Sequence, residues 1–228
     1  MASDNNKKAA EPTHVEELND RLTAVGQKMA DNKKVIYWSV GIIIAAGCLF
    51  SGWYFLYKGP REAKGFDAYG NVELMSRDND SIAAHAYKKV ADAYSGTDAG
   101  NVAALSAAEH FYDMGNYNEA IKYLKKFDTD DEVLMANAQT MLGDCYVNTD
   151  KYDDALDAYE KAISTAEKNP QIVPRVLLKE ANVYDAQKKY DKALKCYETI
   201  AQEYPRFIPG NGMTMEAYAE REKARMGK

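Results

Sequence analysis

Three rhythms of apolar and polar positions follow one another along this chain. In the first, Val15, Leu18, Leu22, Val25 and Met29 recur at spacings of three and four, which lays one apolar stripe along a helix. Thr13 and Glu16 stand just ahead as a Thr-x-x-Glu capping box, in which each side chain satisfies a free backbone N–H of the first turn, so an amphipathic helix is expected over about 13–30. In the second, residues 35–57 (VIYWSVGIIIAAGCLFSGWYFLY) carry no charge at all. In the third, a pattern of small, aromatic and small positions repeats down the rest of the chain.

At about 1.5 Å per residue, a helix over 35–57 would be roughly 34 Å long, enough to cross a hydrocarbon core of about 30 Å. Tyr37 and Trp38 gather at one end, and Trp53, Tyr54, Phe55 and Tyr57 at the other, as interfacial aromatic belts do. The polar lead of residues 1–34 and the length of the run exceed what a cleaved signal peptide has, so an uncleaved anchor is expected. Ala45-Ala46-Gly47-Cys48 partly matches the box before a lipidated cysteine, but uncharged residues continue well past Cys48. Basic residues near the two ends balance: Arg21, Lys28, Lys33 and Lys34 against Lys58, Arg61, Lys64 and Arg77. Orientation therefore rests on a general ground, that a long folded domain is translocated largely regardless of its charge. That places the N-terminus in the cytoplasm.

The repeat emerges from three aligned segments: SAAEHFYDMGNYNEAIKYLKKF from Ser106, MLGDCYVNTDKYDDALDAYEKA from Met141 and KEANVYDAQKKYDKALKCYETI from Lys179. Tyr117, Tyr152 and Tyr190 match, as do Ala120, Ala155 and Ala193 three residues later. In each first helix a small residue (Ala108, Gly143, Ala181) lets the second helix approach, and Phe111, Tyr146, Tyr184, Tyr159 and Tyr197 fill the remaining volume. This period resembles the tetratricopeptide repeat, a pair of antiparallel helices that must stack on its neighbours to bury its apolar face.

The expected fold class is all-α: a single N-terminal transmembrane helix followed by a tetratricopeptide-like α-solenoid. The expected organisation is a cytoplasmic lead over 1–34, a transmembrane helix over 35–57 and a repeat domain over 58–228. Within that domain lie a degenerate unit at about 61–95, repeats at about 101–134, 136–169 and 174–207, and a capping helix at about 213–226. Nine helices follow the anchor. Ser81 reads as the N-cap of the second of them, although Asp80-Ser81-Ile82 also matches a short O-glycosylation pattern.

Composition narrows the chemistry. Net charge is −6, and residues 1–34 hold six charges of each sign, so the acidic surplus belongs to the repeat domain and nucleic acid is a poor partner. Cys145 and Cys196 form no CxxC pair, and His14, His85 and His110 form no metal spacing. No nucleophile elbow, phosphate loop or dinucleotide fingerprint is present. The expectation is a protein that is not an enzyme and needs no cofactor or metal.

The order of these parts resembles the YfgM-type family of membrane-anchored tetratricopeptide proteins. The resemblance implies an accessory of the bacterial Sec translocon in the inner membrane, with the repeat domain in the periplasm. Its implied partners are translocon subunits, a membrane-anchored parvulin-type chaperone and exported polypeptides. It also implies a groove lined by each unit's first helix: Leu105, Glu109, Tyr112, Asp113, Asn137, Thr140, Asp144, Asn148, Arg175, Leu178, Asn182 and Asp185, a mostly polar and acidic surface. An N-anchored targeting receptor facing the cytosol, or a scaffold of an envelope complex, is the alternative.

Overall fold

The structure is a computed structural model, and it describes residues 21–23, 32–76, 79–210 and 212–227. The expected lead helix lies mostly outside the described residues, which include three helical positions, 21–23, with Leu22 exposed. Two units divide the chain, residues 1–59 and 60–228.

In the first unit, helix α1 (Lys33–Trp53) runs into a π-helical turn over Tyr54–Lys58. Among the described residues there is one helix long and apolar enough, by length and composition, to cross a membrane, and it contains α1. None of the residues of α1 is buried: Ile43 is 70% exposed and Leu49 76%. Ser39, inside the apolar run, spends its hydroxyl on the Ile36 carbonyl at 2.8 Å, so it brings no unsatisfied donor into an apolar medium.

The second unit is all-helical among its described residues, a tetratricopeptide-like solenoid. Its nine described helices are α2 (Gly59–Met75), α3 (Asp80–Ala93), α4 (Asp98–Asp113), α5 (Tyr117–Leu124), α6 (Glu132–Val147), α7 (Tyr152–Thr165), α8 (Val173–Ala186), α9 (Tyr190–Glu203) and α10 (Met215–Arg225). Consecutive helices from α3 onward pack together. Side chains cap four of these first turns: Asn79 accepts from Ile82 N, Thr97 from Gly100 N, Asp131 from Leu134 N and Thr214 from Ala217 N. The cap of α3 is thus Asn79 rather than Ser81, because the chain turns helical at Asp80 and Ser81 already lies inside. Pro174 opens α8, where its missing N–H costs nothing.

Each repeat hairpin turns through one left-handed residue, at Gly115 (φ 74°), Asp150 (φ 56°) and Lys188 (φ 61°). The next residue donates its N–H back to the carbonyl five positions earlier, Asn116 to Phe111, Lys151 to Tyr146 and Lys189 to Tyr184. This closes the exposed carbonyls of the first helix in the Schellman manner and aims the second helix back along it. The aligned small residues then meet: Ala108, Ala120, Ala155, Ala181 and Ala193 are wholly buried, with Tyr123 and Tyr197 beside them.

Polar ties join units about one repeat apart. Lys88 pairs with Glu119 at 2.7 Å, Tyr123 donates to Asp92 at 2.9 Å, and Lys179 reaches both oxygens of Asp144 at 2.9 Å. Glu62 of α2 accepts from the backbone N–H groups of Asp98 and Ala99, capping α4 from the preceding unit. In a solenoid each unit touches only its neighbours, so such ties add polar contacts to each seam between stacked units.

Candidate functional site

Eleven of the twelve groove residues project from α4, α6 and α8, the first helices of the three repeats, Asn148 stands at the C-cap of α6, and their environments differ. In the first repeat Leu105 and Tyr112 are half-buried against the core, while Glu109 and Asp113 keep solvent contact. Tyr112 meets Tyr117 edge-on at 5.6 Å, so its ring holds the hairpin together as well as facing outward. Packed surroundings push the Glu109 carboxyl above the usual range, and Asp113 adds to the rise against the opposing pull of His110.

The second and third repeats build two clefts between α6 and α8. Asn137 and Thr140 face Arg175 across a cleft of about 410 Å³, floored by Ile172 and Val176. Asp144 and Asn182 line the next, of about 270 Å³, with Tyr152 and Tyr159. Lys179 borders both. Asp144 is largely committed within the fold, since Tyr159 donates to it at 2.7 Å and Lys179 neutralises it. The side-chain amide of Asn148 donates to the Asp144 backbone carbonyl at 2.8 Å, and the Thr140 hydroxyl to that of Ala136 at 2.7 Å. Leu178 is half-buried in the core.

Asp185 departs most from a free ligand-binding side chain. It pairs with Arg221 at 3.3 Å and with Arg225, both from α10, and these arginines also hold Glu222, which has no solvent exposure. The capping helix therefore ends the groove at Asp185. The sequence shows the amphipathic helix but not its network, because the partners lie 36 and 40 residues apart with no motif to link them.

Sequence reasoning missed a groove at the third repeat that adjoins the first of the α6–α8 clefts and shares Arg175 with it. The α7–α8 turn and the segment after α9 enclose a cleft of about 620 Å³ between Pro170, Arg175, Tyr204 and Arg206. The available signal was a gathering of prolines, Pro170 and Pro174 before α8 and Pro205 and Pro209 after α9, which reads in sequence as two ordinary turns. Among the described residues, no three His, Cys, Asp or Glu side chains stand together as metal ligands would.

Comparison with known proteins accords with this architecture. Residues 174–207 match the tetratricopeptide repeat family, and residues 78–162 match the family described as anaphase-promoting complex, cyclosome, subunit 3. One crystal structure of MamA is similar at 29% identity and TM-score 0.53, covering 67% of this chain and 81% of that one. A second MamA structure is similar at 27% identity and TM-score 0.56, covering 74% and 84%. The crystal structure of BtubC (BKLC) from P. vanneervenii, at 12% identity and TM-score 0.52 over 75% of this chain and 85% of that one, shares the fold alone. No curated protein matches the chain. Repeats of this kind make a scaffold for binding other proteins, and the second unit is such an interaction module.

Proposed function

We propose that this chain is a single-pass membrane protein whose repeat domain lies outside the cytoplasm and serves the Sec translocon. In this reading it helps newly exported polypeptides pass to a membrane-anchored parvulin-type chaperone in the bacterial periplasm. The observation that carries the anchor is α1, an apolar helix without one buried residue, which in water would leave a surface far beyond the patches soluble proteins tolerate. The clefts between α6 and α8 supply the partner surface, and the order of parts supplies the resemblance to translocon accessories.

Topology tests the first half. Ser164 is exposed on α7, whereas Cys145 and Cys196 are buried and their thiols are pushed up to about 12 by burial, which keeps them unreactive at neutral pH. A membrane-impermeant maleimide should label Ser164→Cys from the exoplasmic side of intact cells. Labelling only after the cytoplasmic face is opened would favour the targeting receptor.

The second half is tested by exchanging residues 35–57 for a polyleucine span. Gly41 and Ala45, like Gly47 and Ser51, stand four apart, a spacing that lets transmembrane backbones pack closely. The exchange should leave the repeat domain folded and exported while abolishing photo-crosslinks from the span to translocon subunits. Undiminished co-purification with the translocon would mean that the repeat domain makes the contact by itself.

A further inference from the structure

We infer that the groove between the α7–α8 turn and the segment following α9 is a preformed binding site for a stretch of partner protein carrying acidic side chains beside bulky apolar ones. The inference rests on the reading that this domain binds protein segments, and it assigns that binding a further place, adjoining the α6–α8 cleft and sharing Arg175 with it.

Shape is the first argument. The cleft of about 620 Å³ continues into one of about 240 Å³ in front of α10. Tyr204, Pro205, Phe207 and Ile208 line both, so they form a ridge with a hollow on either side. Two hollows separated by a ridge suit two apolar side chains of one extended segment. Pro170, Pro205 and Pro209 each fix one backbone dihedral along the walls, and Tyr204 among them is buried. Those fixed dihedrals lower the ordering entropy that binding would cost. Ile208, 80% exposed, presents an apolar side chain to solvent at the edge of both hollows.

Charge is the second argument. The repeat domain is acidic, yet Arg175 and Arg206 both line the larger cleft, and neither guanidinium has a hydrogen bond or ion pair among the described residues. The arginines of α10 are spent on Asp185 and Glu222, and Arg61 donates to the Ala93 carbonyl at 2.8 Å. Glu203 borders the same cleft and leaves one net positive charge there, enough to favour a carboxylate and disfavour an ammonium. Guanidinium forks bind carboxylates in a defined plane, which sets the register of the segment over the hollows.

A docked surface of this kind has a competing occupant, an anionic lipid surface, which would also accept arginines beside an apolar tip. The concavity favours a peptide, since a bilayer cannot enter paired hollows.

The test uses the full chain in phosphatidylcholine nanodiscs and a fluorescein-labelled peptide of alternating Phe, Leu and Asp in a Gly/Ser background. Asp→Asn and Asp→Lys versions serve as comparisons. Anisotropy should show the Asp peptide binding tightest, weakened by salt and weakened about fivefold or more by Arg206→Ala, as for the loss of one charge-assisted contact. Ile208→Ser should weaken all three peptides, and Asn182→Ala, in the other cleft, should change nothing. Arg206 and Ile208 are exposed, and unchanged melting of both variants would show that folding is intact. Equal binding of the Asp and Lys peptides, or indifference to Arg206→Ala, would overturn the site. So would a blue shift of a dye on Ile208→Cys that appears in phosphatidylglycerol nanodiscs without peptide, which would identify lipid as the occupant. If the site is overturned while the intact chain still co-purifies with translocon subunits, the interaction reading stands and this inference alone falls.

Discussion

Gly143 and Tyr159 are in contact across the second hairpin so closely that a Cβ built on the glycine would lie 2.3 Å from the tyrosine ring. The ring is 2% exposed and its hydroxyl is held by Asp144, so it cannot swing aside without losing both burial and a hydrogen bond. Burial and that carboxylate together push the phenol well above its usual pKa, and Tyr159 stays a donor at any physiological pH. Gly143→Ala should therefore destabilise the repeat domain by about 1–3 kcal/mol through overpacking. Ala155→Leu, at a wholly buried contact on the facing helix, should do the same. Thermal melts followed by circular dichroism check both, and an unchanged midpoint for Gly143→Ala would mean that α6 and α7 lie farther apart.

The three hairpin turns make a comparison within one molecule. Gly115 takes its positive φ without strain, whereas Asp150 and Lys188 hold side chains in the same conformation. Lys188→Gly should stabilise the fold by about 0.5–1 kcal/mol, and Gly115→Ala should destabilise it by a similar amount, whereas Asp150→Gly should gain less because it loses the hydrogen bond from the Tyr152 hydroxyl. Chemical denaturation midpoints would show the opposite signs side by side.

Glu180 predicts a pH dependence. It is buried in α8, and burial pushes its carboxyl up, only partly offset by a hydrogen bond from Tyr184. A carboxyl whose folded pKa exceeds its unfolded one binds its proton more tightly in the native state. Its contribution is present below the unfolded pKa and is lost as pH rises through the folded value. Glu180→Gln should match the parent in stability at acidic pH and exceed it increasingly toward neutrality. The denaturation free energies of the two proteins, measured across that range, should diverge in this direction; convergence as pH rises would contradict it.

The α10 network predicts a non-additive pair. Glu222 is fully buried between Arg221 and Arg225, so removing the cations leaves an uncompensated buried charge. Arg221→Met with Arg225→Met should cost about 3–5 kcal/mol or detach α10, and adding Glu222→Leu should restore most of the loss. Proteolysis at the 204–214 connection reports whether α10 remains docked.

By itself the sequence determined the charge-free run, the three hairpins and the helices on either side, because these follow from local spacing: residues three or four apart share a helical face, and small residues must sit where helices touch. It also singled out Ala120, Ala155 and Ala193 as contact points, all wholly buried. Tertiary structure alone decided which polar groups remain free. Asp144 and Asp185 look alike as groove carboxylates in sequence, yet one is tied to Tyr159 and Lys179 and the other is clasped by α10. Arg175 and Arg206, 31 residues apart, share a cleft only because the turns before α8 and after α9 come to the same edge of the solenoid. Periodicity records what each residue faces along its own helix, whereas ion pairs and clefts depend on distances across units, set by the stacking angle that packing imposes.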